Sequence, residues 1–225
     1  PDGYVGKPAE AGTDVFAMTT GNGSSTIPSL VSNFPVDLFT VRQPAQGSNN
    51  WVTSARLMQG NYISTNLNSA ETALTNATFD SNSGAYAASW VDSTYQGWLW
   101  KRHAGFDVVT YTGNATDRYI AHGLSKTPEM VWFMTRSQTS DHIVWHKDIS
   151  PAQQLVLNTN SGEASGSWQF SSDLPFSSTH IGLKAGLAAI NNNNSTYLAL
   201  LFASVDGISK VGSFVGSNST VTVTT

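Results

Sequence analysis

The sequence predicts an all-β protein made of tandem β-sandwich, jelly-roll-like repeats, and three observations carry the prediction. Turn chemistry recurs every 8–14 positions with no convincing amphipathic helix between. Charged residues make up only 12% of the chain, and Ser, Thr and Asn, at roughly three residues in ten, fill the gap. Such short polar side chains suit turns and the solvated faces of strands and disfavour helix interiors. Finally, the chain repeats itself.

Asp14-Val-Phe-Ala-Met-Thr-Thr-Gly21 has a counterpart in Asp107-Val-Val-Thr-Tyr-Thr-Gly113, and Pro35 has one in Pro128. Asn66-Leu-Asn-Ser-Ala-Glu71 matches Asn158-Thr-Asn-Ser-Gly-Glu163, 92 residues later. Ser93-Thr-Tyr95 matches Ser195-Thr-Tyr197, 102 later, so the second copy carries an insertion, placed between Ser171 and Asn194. Five landmarks in one order set the domain plan. Residues 1–14 are a linker or the end of a preceding unit, 15–106 the first repeat and 107–207 the second. From 208 to 225, Lys210-Val-Gly-Ser-Phe-Val-Gly216 opens a third, truncated repeat.

Each strand of the second repeat follows from its pattern. Phe106 to Thr112 is β-rich and stops at Gly-Asn; Arg118 to Ala121 follows, and Gly123 to Pro128 is a loop. Glu129 to Arg136 is apolar on both faces, as a doubly covered central strand must be. His142 to His146, Gln154 to Asn158, Trp168 to Phe170 and His180 to Lys184 are shorter candidates, and Tyr197 to Ala203 closes the unit. Ser69 to Asn76 and Gly182 to Ile190 have room for a helical turn only. Asn191-Asn-Asn-Asn194 reads as a hairpin tip, because Asn tolerates left-handed backbone.

With 7 Trp, 7 Tyr and 10 Phe the chain has ample apolar area to bury. The net charge of −4 and the lack of a Lys/Arg-rich run exclude a nucleic-acid binder. Without Cys there is no thiol catalysis, thiolate metal site or disulfide. The longest apolar runs are strand-length, which argues against membrane insertion. The start, Pro-Asp-Gly-Tyr, has neither Met nor a signal-peptide pattern, and suggests a piece of a longer or processed protein.

Several phrases now carry a resemblance. Val109-Thr-Tyr-Thr-Gly113-Asn, His122-Gly-Leu with Thr127-Pro-Glu-Met, Val144-Trp-His-Lys147, Leu157-Asn-Thr-Asn160 and Ser195-Thr-Tyr-Leu-Ala recur in repeated domains of tail-fibre-like structural proteins from marine phages, many of which infect cyanobacteria. The chain resembles that family over nearly its whole length, and the first repeat carries the phrases in weakened form. The resemblance implies location on a virion and an architectural or host-contact role. It supplies no catalytic or binding residues.

The residues themselves give little sign of chemistry. Asp141-His142-Ile-Val-Trp-His146-Lys-Asp148 is the densest polar cluster, but on a strand its two His lie roughly 13 Å apart, at about 3.3 Å per residue. A single Zn²⁺ needs both nitrogens at about 2 Å, so no metal site and no cofactor is expected. Glu71 and Glu163 occupy equivalent points of different repeats and cannot form a glycosidase pair, whereas a pairing such as Asp148 with Glu163 stays open. Gly162-Glu-Ala-Ser-Gly166 is a loop, not a nucleophile elbow. Trp98, Trp100 and Trp132 read as core; Trp51, Trp90, Trp145 and Trp168 lie in more polar segments, where an exposed indole can stack on a sugar. The candidate surface contacts are Trp145, His146, Asn191, Asn192, Asn193 and Asn194.

The expectation is therefore a non-enzymatic virion module, located in a tail fibre or surface appendage, that touches host-surface glycan. Its partners are other virion subunits, with a homotrimer expected by analogy. The alternatives are a capsid decoration or spacer protein that binds only neighbouring subunits, and a polysaccharide-degrading tailspike domain.

Overall fold

The computed structural model describes residues 11–149, 153–165, 174–185 and 188–223. The expected all-β class is seen: antiparallel strands dominate, with one short α-helix among the described residues.

The first half holds nine strands: β1 (Phe16–Thr20), β2 (Leu30–Val31), β3 (Leu38–Arg42), β4 (Val52–Ala55), β5 (Asn61–Ser64), β6 (Thr72–Ala73), β7 (Thr78–Ser81), β8 (Gly84–Tyr86) and β9 (Gln96–Trp100). The second holds β10 (Phe106–Thr112), β11 (Arg118–Ala121), β12 (Met130–Thr135), β13 (Ile143–His146), β14 (Gln153–Val156), β15 (Ala164–Ser165), β16 (His180–Leu183), α1 (Ala188–Asn191) and β17 (Thr196–Phe202). β10 and β11 run where the residue pattern puts them, and β12, β13, β14, β16 and β17 differ from it by one or two residues at their ends. Trp168 to Phe170 lies outside the described residues.

One six-stranded sheet has the order β1-β9-β3-β4-β5-β6, and the other β10-β17-β12-β13-β14-β15. Counted within each half, both read first, last, third, fourth, fifth, sixth. A small sheet faces each large one: β2-β8-β7 in the first half and β11-β16 in the second. Hydrogen bonds outside the ladders match as well. Asp37 N–H donates to Trp100 O at 2.8 Å and Arg56 N–H to Asp37 O at 2.9 Å; Glu129 donates to Phe202 O and Lys147 to Glu129 O, each at 2.8 Å. Trp51 N–H donates to the Asn66 side chain at 2.9 Å, and His142 N–H to that of Asn158 at 2.8 Å.

Alternation along the strands divides the apolar residues among three cores. Leu30, Phe39, Val41, Phe79 and Leu99 fill the space between the sheets of the first half. Ile120, Val131, Phe133, Ile181 and Leu201 do so in the second. The third core lies between the halves, where Leu38, Ala55 and Ile63 from one large sheet, with Met58 from the 3-10 turn after β4, meet Phe106, Val108, Met134, Leu198 and Leu200 from the other. β12 thus has apolar neighbours on both faces, one fully buried and the other partly, which explains its lack of alternation. Across the same contact Arg136 grips Glu71 at 2.8 and 3.3 Å, and the buried His142 Nε2 lies 3.3 Å from Ser64 O. Glu71 is therefore an ion-pair partner between the halves.

Two expectations change. Asn191–Asn194 is not a strand-to-strand hairpin tip: Asn191 ends α1, and Asn193 and Asn194 make the turn into β17, with Asn194 at φ 60°. The tail from Lys210 to Val223 forms no strand. Each half's first strand pairs only with that half's last, and the tail has no such neighbour.

Candidate functional site

The loop between β8 and β9 presents Trp90, which is 45% exposed. No other Trp stands among the large exposed apolar residues described. Its ring meets Tyr95 edge-on, with centroids 5.1 Å apart. Beneath it the loop is held tightly. Val91 N–H donates to Ala88 O, Asp92 N–H to Trp90 O and Tyr95 N–H to Asp92 O, at 3.0–3.1 Å. Asp92 Oδ1 accepts from Thr94 N–H at 2.8 Å and from the Thr94 hydroxyl at 2.6 Å, a local Asx arrangement. Those two bonds, the hydroxyl's first, hold the Asp92 carboxyl below its ordinary range, so it is ionised near neutral pH. The Gln43 amide donates to Thr94 Oγ1 at 2.9 Å. Gly21 packs so closely that a Cβ there would run into the Val91 carbonyl, and Gly23 N–H donates to the same oxygen at 3.0 Å.

The equivalent end of the second half is the α1–β17 turn. Ala115 N–H donates to Asn191 O at 3.0 Å, as Gly23 does to Val91, and a Cβ on Gly113 would collide with Asn192 O. Asn191 itself is buried. Its amide donates to Thr116 O at 2.8 Å and Lys184 O at 3.0 Å, while its oxygen accepts from Asn114 N–H at 3.1 Å. Asn192 is half-buried under the Tyr197 hydroxyl, 2.8 Å away. Only Asn193 and Asn194 stand in solvent. Nearby Tyr111 and Tyr197 stack at 5.1 Å, and burial pushes the Tyr111 phenol well above its usual pKa.

Trp145 and His146 lie apart from this end, on β13. The Trp145 ring meets Phe176 at 4.7 Å and packs on the core of the second half. His146, on the opposite face, has a side chain only 12% exposed. The sequence-predicted set is therefore divided into a half-buried pair on β13 and an Asn run whose last two members are exposed. Residue types in the sequence put Trp90 among the segments able to expose an indole, but nothing in them ranked it above Trp145. The decisive feature is Val91, which buries itself and turns its neighbour outward.

A separate cleft of about 350 Å³ is lined by Asp37, Arg56, Phe79, Asp80, Lys101 and Arg102, among others. Asp37 is held there by Arg56 and Arg102 at 3.3 and 3.4 Å and by Arg102 N–H at 2.8 Å. Among the described residues the carboxyl groups whose pKa moves, Asp92, Asp117 and Asp148, are all lowered, chiefly by side-chain hydrogen bonds. Among the described residues no three His, Asp or Glu side chains converge on a metal position.

No curated protein and no solved structure matches the chain. A family model, the domain of unknown function DUF7483, matches residues 99–223, from the end of β9 through the second half and the tail. That is more than half of the chain, which therefore belongs to the DUF7483 family.

Proposed function

We propose that the chain is a non-enzymatic structural module of a phage virion appendage, formed by two copies of one β-sandwich unit, and that it touches host-surface glycan through Trp90. The shared strand order of the two halves and their matching backbone hydrogen bonds support the two-copy reading. The resemblance of several phrases to tail-fibre-like proteins supports the virion setting.

The single observation that carries the glycan reading is the exposed Trp90, braced by Tyr95 and fixed by its loop. A pyranose has an apolar C–H face and a rim of hydroxyls. An indole fits the first, and Asp92, Thr94 and Gln43 offer acceptors and donors for the second. Because the loop is already ordered, little conformational entropy is lost on binding. Asn193 and Asn194 offer a second polar contact at the corresponding end of the other half.

The test is binding of the purified protein to cyanobacterial cells and to a glycan array, beside Trp90→Ala and with released reducing sugar assayed. Saturable binding that Trp90→Ala weakens, without sugar release, supports the proposal. Sugar release would make the chain a depolymerase. No binding at all would leave a decoration or spacer protein.

A further inference from the structure

The contact between the halves uses different parts of the two large sheets. The first half offers the patch of Leu38, Ala55, Met58 and Ile63; the second offers Phe106, Val108, Met134, Leu198 and Leu200. Strand register assigns each strand residue of these patches a counterpart in the other half. The counterparts of the second half's patch are Phe16, Met18, Arg42, Gln96 and Trp98. Those of the first half's patch include Met130, His146 and Leu155. A contact between unlike patches is heterologous and leaves one of each unused.

The first half's unused patch is open, and the second half's is only partly covered, by the start of the tail. Met18 is 62% exposed, and beside it Trp98 and Trp51 pair at 5.0 Å with the Arg42 guanidinium 5.3 Å from the Trp51 centroid. Among the described residues no carboxylate pairs with Arg42. Met130, His146 and Leu155 are only half-buried.

The tail shows what fits between them. On leaving β9 the chain closes a bridge between His103 and Phe106 and enters β10, which lies over the 3-10 turn Arg56–Met58. On leaving β17 it closes a bridge between Val205 and Ser209, and then buries Val211 beside Met130, His146 and Phe202. Ser213 donates to Asp148 at 3.0 Å, over the counterpart of that turn. The tail thus follows the path of β10. It also starts beside the first half, since a Cβ on Gly12 would lie 3.5 Å from Ile208 O.

We infer that the two unused patches receive a third unit of the same strand order, entered through residues 208–216, which packs its sheet face against both halves and closes a three-unit ring. This rests on the two-copy reading above. The contact is a continuation of the one already made between the halves, with the apolar Met130 and Leu155 on one side and Met18 and Trp98 on the other.

The test compares the present chain with one in which residues 107–207 are repeated after Ile208 in place of the tail. In the extended chain, peroxide oxidation of Met18, followed by mass spectrometry, should slow by about an order of magnitude. Met18→Glu should leave the melting temperature of the present chain unchanged and lower that of the extended one. An added unit that resists protease while Met18 oxidises as before would overturn the docking alone. An added unit that stays unfolded would overturn the two-copy reading with it. Met18 protection that appears in the present chain only at high concentration would identify a second copy as the occupant, and would also overturn the inference. None of these readouts involves host binding.

Discussion

At the scale of single residues the strongest constraints are close approaches and buried polar groups. Gly113 faces Asn192 O and Gly21 faces Val91 O with no room for a Cβ. Gly113→Ala and Gly21→Ala should each lower stability by about 2 kcal/mol or more in denaturant titration, because backbone must move. Asn191 makes three hydrogen bonds from a buried position. Asn191→Ala should cost about 2–3 kcal/mol, whereas Asn193→Ala should stay within about 0.5 kcal/mol. The sequence shows four like residues here; which of them is structural depends on α1 turning the first one inward, and no local signal marks that.

At the scale of elements the junction between the halves is sensitive to pH. Burial, and secondarily Lys101, lowers the pKa of His103 from 6.5 to about 4, and burial lowers that of His142 too. A His whose folded pKa is depressed favours the unfolded chain once protons are available: below the unfolded pKa the unfolded state binds more of them. Stability is therefore full above about pH 6.5 and falls between there and about pH 4. Melting temperatures across that window should drop for the native chain and drop less steeply for His103→Gln. Strand legibility also varied at this scale. β10 and β17 are long, apolar and bounded by turn residues, so pattern alone located them. β6 and β15 are two-residue pairings made by a neighbouring strand, and no period exists in so short a run. The tail has the composition of a first strand but no last strand beside it, so its residues stay unpaired.

At the scale of the whole molecule the two halves behave as one body, because the third core joins the outer faces of their large sheets. Leu38→Ala or Met134→Ala should destabilise by about 2–5 kcal/mol. A calorimetric scan should show one transition in the native chain, and these variants should lower it or split it into two. The all-β class was legible from turn spacing and composition, but the face-to-face packing of the two large sheets was not. It depends on which alternating residues of each sheet meet, and Trp100 and Trp132 read simply as core without saying whose core. The site followed the same logic. Composition pointed to exposed indoles and short polar side chains, while the choice of Trp90 over Trp145 required knowing that Phe176 covers the latter.

The measurement that bears most directly on host contact is side-by-side binding of the native chain and Trp90→Ala to intact cyanobacterial cells, with the melting temperature of both recorded. Host contact through Trp90 requires equal melting temperatures, saturable binding by the native chain and a loss of about tenfold or more in affinity for the variant, the upper part of what one stacked aromatic contributes. Equal binding by the two proteins, or none by either, would contradict it.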